Sequence, residues 1–221
     1  PELRYVLPIT LAWAFAVAVM VAEKDLGSAL LFFTLFMVMM WVATERAIYL
    51  VLGIFIFSGA AYIAWRLFEV VQTRVSIWTD PWSQYEGKGY QPAQAMFAFA
   101  NGGTAGTGLG LGNPSKIPAA STDYVYAAIG EEMGMIGATA IIIAFLLLFG
   151  AGLRVAVRAD RPFEKLLAVG LTTIIAMQAF IIIGGVLRLV PLTGITLPFV
   201  SYGGSSLLAN YMLLALLLRI S

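Results

Sequence analysis

Six stretches of this sequence, at about 5–22, 27–44, 47–66, 133–153, 165–187 and 197–218, are each long and apolar enough to cross a bilayer as a helix. Hydrocarbon offers no partner to backbone N–H and C=O groups, so such runs must satisfy their own hydrogen bonds by coiling. The expected fold is therefore all-α: a polytopic membrane helix bundle with six transmembrane helices. Composition agrees, since 61% of the 221 residues are hydrophobic and 11% are charged, against roughly a quarter charged in a soluble domain. Tight connections at Glu23–Asp25 and Thr44–Arg46 predict antiparallel hairpins. Residues 67–122 form one long polar excursion, expected as an extracellular loop with short helices. The chain starts at Pro1 with an apolar run too long for a signal peptide, so it is expected to be a piece of a longer protein.

Orientation follows from Lys and Arg in short loops. With the amino end inside, Arg4, Arg46, Arg154, Arg158, Arg161, Lys165 and Arg219 fall on the cytoplasmic side, leaving Lys24 and Arg188 in short outer loops. The excursion, Asp123, Asp25 and the loop around Pro191 then converge on the outer face. Trp78, Pro81, Trp82 and Tyr85 read as an interfacial aromatic belt. Residues 91–100 read as a short apolar helix lying on the surface.

Several chemistries are excluded by what is missing. The sequence holds no cysteine and no histidine, which removes disulfides, thiolate metal sites and the commonest general base. A net charge of +1 gives no basic stripe for nucleic acid. Neither a GxxxxGK[ST] loop nor a strand followed by GxGxxG occurs, so nucleotide binding has no support. Acid–base chemistry is left to Asp, Glu, Lys and Tyr.

The carboxylates nearest the apolar runs are the candidates, because an ionisable group there is costly unless it lines a polar cavity. Asp123 sits just before the fourth run, where it either caps that helix or serves as a catalytic base. Asp25 stands between the first two runs with the same two readings. Glu131 lies too far along the helix to share a proton with Asp123, and Glu132 is expected to pair with a cation or to cap a break near Gly134 and Gly137. Arg74, Lys88, Lys116 and Arg188 are outer-face cations suited to a phosphate. Lys116 is favoured among them, since it lies between Asp123 and the glycine-dense segment NGGTAGTGLGLG at 101–112. There Gly103 and Gly108 let the backbone approach an anionic ligand. Arg66 is expected to snorkel to headgroups. Near the carboxy end, PLTGITLPFVSYGGSS at 191–206 marks a broken helix, tolerated at membrane depth only inside protein or along a cavity. Helix packing accounts for its glycines but less well for Thr193, Ser201 and Tyr202.

Taken in order, PLTGITLPFVSYGGSS, NGGTAGTGLGLG, TDYVYAAIGEEMG, Asp80–Trp82 as DPW, Gly89–Gln91 as GYQ and Asp25–Gly27 as DLG resemble the carboxy-terminal part of the SEDS proteins, the family that includes RodA and FtsW. The resemblance spans residues 1–221 and implies that about four amino-terminal spans are missing. It implies a peptidoglycan glycosyltransferase of the bacterial plasma membrane. The enzyme polymerises lipid II at the outer face, for division or elongation, beside a class B penicillin-binding protein that crosslinks the product. The family's essential loop aspartate falls on Asp123 and its second aspartate on Asp25. Three departures stand out: Glu23-Lys24 replaces Gln-Pro, Ala119-Ala120-Ser121 replaces Glu-Ala-His, and Thr107 replaces a loop lysine.

The implied chemistry has Asp123 deprotonate the acceptor hydroxyl. Lys116, Arg74, loop amides and a divalent cation, Mg2+ or Mn2+, hold the pyrophosphate, and Asp25 orients a cation. Thr122, Ser201 and Tyr202 complete the expected substrate contacts, with the metal ligands unassigned. Two other readings remain open: a lipid II flippase, which would want its charged site near mid-membrane, and a non-catalytic scaffold, which gives no reason for acids and glycines to converge.

Overall fold

The computed structural model describes residues 3–23 and 25–221; Lys24 and the side chain of Arg4 lie outside the described residues. Among the described residues eight α-helices follow one another: α1 (Leu3–Ala22), α2 (Leu26–Thr44), α3 (Ile48–Leu67), α4 (Glu69–Thr79), α5 (Tyr90–Gly102), α6 (Val125–Arg158), α7 (Pro162–Val186) and α8 (Gly204–Ile220). Short 3-10 turns occur at Trp82–Gln84 and Pro114–Lys116, and no strand occurs among the described residues. By length and hydropathy α2, α3, α6 and α7 qualify as membrane spans, while Leu7–Ala22 and α8 are shorter apolar helices. The expected last span at 197–218 thus begins late, at Gly204, because Pro191 and Pro198 each lack an N–H and obstruct the preceding turn.

Helix α7 is the axis of the bundle, more buried than any other span and packed against α2, α6 and α8. Small residues let backbones close up where lipid supplies no hydrophobic drive between helices; Gly170 faces the Met39 side chain and Gly152 faces Thr172. A second core joins α5, α6, α7 and the strap 187–203 through Ala95, Ala98, Tyr126, Ala127, Ile182 and Leu197. Helix α5 is therefore not a surface helix as its composition suggested: Ala93, Ala95, Ala98 and Gly102 bury one face against α6.

Helix α6 starts eight residues before the expected span and runs 34 residues, about 51 Å of contour against about 30 Å of hydrocarbon. It breaks at Gly134, whose φ of 65° and ψ of −166° leave neighbouring backbone groups without helical partners. The glycine-dense segment supplies them. Gly103 O accepts from Met135 N at 2.9 Å and Thr104 O from Ile136 N at 3.2 Å, while Thr107 N and Gly108 N donate to Glu131 O and Glu132 O at 2.9 and 3.0 Å. Gly106, at φ +84°, lies so close that a Cβ would strike Glu132 O. The glycines serve a close approach, and their partner here is the broken helix.

Candidate functional site

One end of the bundle gathers the starts of α2, α5 and α6, the end of α7 and the strap 187–203. There a cavity of about 590 Å³ is lined by α4 (Arg74, Trp78), the turn before α5 (Gly87, Lys88), Asp123, Tyr124, Arg188 and Gly194 among others. Its charged lining is Arg74, Lys88 and Arg188 against a single carboxylate, Asp123. Among the described residues none of these four forms an ion pair.

Asp123 is presented by a tight turn. Ala119 adopts φ +59°, Thr122 N and Tyr124 N both donate to Ala119 O at 3.1 and 3.2 Å, and α6 starts only at Val125, capped by Tyr124 without a side-chain bond. The capping role for Asp123 is therefore not realised. The turn is clamped from the strap: Ser201 Oγ donates to Thr122 O at 2.6 Å and accepts from Leu197 N at 2.8 Å, and Tyr202 N donates to Ser121 O at 2.8 Å. Arg74 Nη1 donates to Thr193 O at 3.0 Å. A Cβ built on Gly194 would sit 3.9 Å from both Arg74 Nη2 and Asp123 Oδ2, so guanidinium and carboxylate face each other across that glycine.

Half-burial raises the Asp123 carboxyl above its ordinary range, outweighing the neighbouring Thr122 hydroxyl and the Arg74 charge, which both lower it. Burial, with the Asp123 charge beside it, likewise pushes the Tyr124 phenol up, keeping it a neutral donor.

Of the residues expected at the site, Asp123 and Arg74 line this cavity. Asp25 caps α2, accepting from Ser28 N at 3.1 Å; its neighbour Gly27 packs on Thr193 and Ile195, which links the DLG segment to the cavity through the strap. Thr122 turns its hydroxyl to Ala119 O at 3.3 Å, and Ser201 is buried as a clamp. Tyr202 is 77% exposed and outside the cavity. Lys116 is exposed outside it too, beside a second, more apolar cavity of about 480 Å³ that Pro114, Ser115 and Ile117 line on the other side of the Asp123 turn. Gly103 and Gly108 are engaged with α6 as described. Glu132 makes no ion pair among the described residues; its carbonyl serves the break. Buried Glu131 leaves Oε2 without a hydrogen bond.

Sequence reasoning placed Trp78 in an aromatic belt, yet its Nε1 donates to Arg188 O at 2.9 Å while Arg188 Nη2 donates to Trp78 O and Thr79 O at 2.6 and 3.1 Å. This reciprocal staple fixes α4 to the end of α7. Trp82 and Tyr85 are exposed, with their rings stacked on each other. Arg66 reaches Tyr62 Oη at 3.2 Å. Tyr124 was not singled out by sequence; its adjacency to Asp123 was the available signal.

Fold and site together define a polytopic membrane protein with an unpaired carboxylate in a cation-lined cavity at one end of its bundle. The chain belongs to the FtsW, RodA and SpoVE family, whose model, described as "Cell cycle protein", matches residues 1–221. It is a multi-pass protein of the plasma membrane. It is 50% identical over 221 residues to the peptidoglycan glycosyltransferase RodA of Mycobacterium tuberculosis, covering 100% of this chain and 47% of that protein. To RodA of Mycobacterium leprae it is 47% identical, covering 100% and 48%. To the probable peptidoglycan glycosyltransferase FtsW of Geobacter metallireducens it is 35% identical, covering 97% and 58%. The chain spans about half the length of the RodA relatives it matches. A solved chain from a peptidoglycan synthase complex that coordinates polymerization and crosslinking superposes with a TM-score of 0.77 at 27% identity, covering 95% of this chain and 60% of that one.

Proposed function

We propose that the protein containing this chain is a RodA-type peptidoglycan glycosyltransferase that polymerises lipid II at the outer face of the membrane. The observation that carries the reading is Asp123, half-buried, free of any ion pair among the described residues and facing three cations across one cavity. Identity of 50% to a RodA against 35% to an FtsW supports the RodA branch.

A sugar linked to a diphosphate already carries a good leaving group, so the transfer needs a base for the acceptor and cations for the departing charge. Asp123 takes the proton from the acceptor hydroxyl. That oxygen bonds to the anomeric carbon with inversion, and the bond from carbon to diphosphate oxygen breaks with its electron pair leaving on the diphosphate. Burial makes the carboxylate a stronger base than an exposed one. Arg74, held on Thr193 O and facing Asp123, balances the leaving charge. Lys116 lies outside this cavity, and the glycine-loop backbone is bonded to α6.

A divalent cation, implied by the family, finds a poor donor set in these residues. Mg2+ at a phosphate site is held by one or two carboxylates beside the phosphates, and this cavity offers one, Asp123, set among Arg74, Lys88 and Arg188. No step is routed through it. A class B penicillin-binding protein is the proposed partner, supported by the likeness to a chain of a polymerizing and crosslinking complex.

The test is the purified full-length protein with its transpeptidase, lipid II and a chelator arm, with products resolved by length. Glycan polymer is the expected product. Lipid II crossing the bilayer with no polymer made would favour the flippase instead.

A further inference from the structure

The cavity sets three cations against one carboxylate, and beside Arg74 the cation not spent on structure is Lys88. We infer that Lys88 and Arg74 form a two-pronged receptor for a diphosphate, with Lys88 the residue that distinguishes diphosphate from monophosphate. The inference rests on the reading of a diphosphate leaving group at this site.

Lys88 lies between Gly87 and Gly89 in the turn that joins the 3-10 segment to α5. Its backbone is fixed: Gly87 N and Gly89 N both donate to Gln84 O, at 2.9 and 3.0 Å, and Gln84 Nε2 ties the turn to α4 through Ser76 Oγ at 3.0 Å. Gly89 has no room for a side chain, since a Cβ there would strike Pro81 O. The Lys88 side chain is exposed. No hydrogen bond or ion pair holds it among the described residues, although it lines a cavity whose one carboxylate already faces Arg74.

The three cations differ in what they have left to give. Arg188 is spent on structure, with Nη2 on two carbonyls of α4 and Nη1 against Met96 Sδ at 3.4 Å, leaving a buried Nε unpaired. Arg74 commits Nη1 to Thr193 O, and its charge acts on Asp123. Lys88 alone keeps three unpaired donors. The first turn of α5 adds to the same wall: Tyr90, Gln91 and Pro92 line the cavity, Pro92 has no N–H, and the Gln91 amide has no backbone acceptor. A monoester phosphate satisfies one cation. A diphosphate spans two, and cations on separate elements, α4 and the turn before α5, suit the longer group.

The experiment uses full-length protein in detergent and measures binding of farnesyl diphosphate, farnesyl monophosphate and inorganic pyrophosphate. Wild type is expected to prefer the diphosphate to the monophosphate. Lys88→Gln should weaken diphosphate binding about ten- to hundredfold, the worth of one charge-assisted contact, and leave the monophosphate nearly unchanged. Lys88→Arg should restore the preference. Inorganic pyrophosphate bound as tightly as the prenyl form locates recognition in the diphosphate alone; no pyrophosphate binding by wild type overturns the receptor. Equal diphosphate affinity in Lys88→Gln and wild type also overturns it, even if Asp123→Asn abolishes polymer. Polymer formation by Asp123→Asn would overturn the catalytic reading while leaving the binding result intact.

Discussion

Replacing Ser201 with Ala removes one oxygen and, on the geometry here, loosens the turn that carries Asp123. The Ser201 residue is 2% exposed, and its hydroxyl holds Leu197 N at 2.8 Å and Thr122 O at 2.6 Å. Two hydrogen bonds of about 1 kcal/mol each are lost, and the Leu197 N–H, buried without an acceptor, adds a further desolvation cost, so the total is about 2–4 kcal/mol. The bond to Thr122 O also joins the strap to a turn strained at Ala119, where φ is +59°, so the loss falls on the position of the carboxylate as well as on stability. Thermal unfolding in detergent, followed by retention of the monodisperse peak, should show a midpoint lowered by several degrees. Glycan formation per folded molecule should drop too, because a displacement of about 1 Å at a catalytic group costs as much as a hundredfold. A Ser201→Ala protein with the wild-type midpoint and rate would refute the clamp.

Three further outcomes are expected. Gly106→Ala should unfold at a lower temperature than Gly103→Ala in the same detergent assay, since both have positive φ but only at Gly106 would a Cβ meet the α6 backbone, whereas at Gly103 it meets nothing within 4 Å. Because Asp123's carboxyl is raised above 3.8 chiefly by burial, the folded chain holds that proton more tightly than the unfolded one, and stability falls as pH rises from 3.8 through the raised value. Asp123→Asn should accordingly show a higher midpoint than wild type at neutral pH and a flatter pH dependence, read from melts across that range. Arg188→Met removes the side-chain half of the staple between α4 and the end of α7, keeping the Trp78 bond to the backbone O of residue 188, and should lower the melting midpoint at a cost of about 2 kcal/mol or more from the lost contacts to two carbonyls.

The apolar runs announced the helices because hydropathy and backbone satisfaction act over about 20 residues, a length the sequence shows directly. The break at 187–203 was legible for a similar local reason: Pro191, Pro198 and Gly194 cannot continue a helix. What escaped was long-range. Lys116 and Lys88 are both outer-loop lysines near glycines, and only the folding of 67–122 turns one into the cavity and leaves the other outside. The glycine segment promised a close backbone approach and a break near Gly134 was expected, but nothing local said that the two belong together, with the broken α6 claiming the loop's hydrogen bonds. Ser201 carried a polar signal inside a packing motif; its partner, Thr122 O, lies 79 positions away.

The most direct measurement is single-turnover glycosidic bond formation from lipid II by full-length Asp123→Asn, with farnesyl diphosphate binding and the melting midpoint recorded on the same preparation. The expected result is a rate reduced by about a hundred- to ten-thousandfold, the range of a lost general base, in a protein that melts no lower and binds the diphosphate no worse than wild type. A rate within a few fold of wild type in that folded, ligand-binding protein would contradict the assignment of Asp123 as the base.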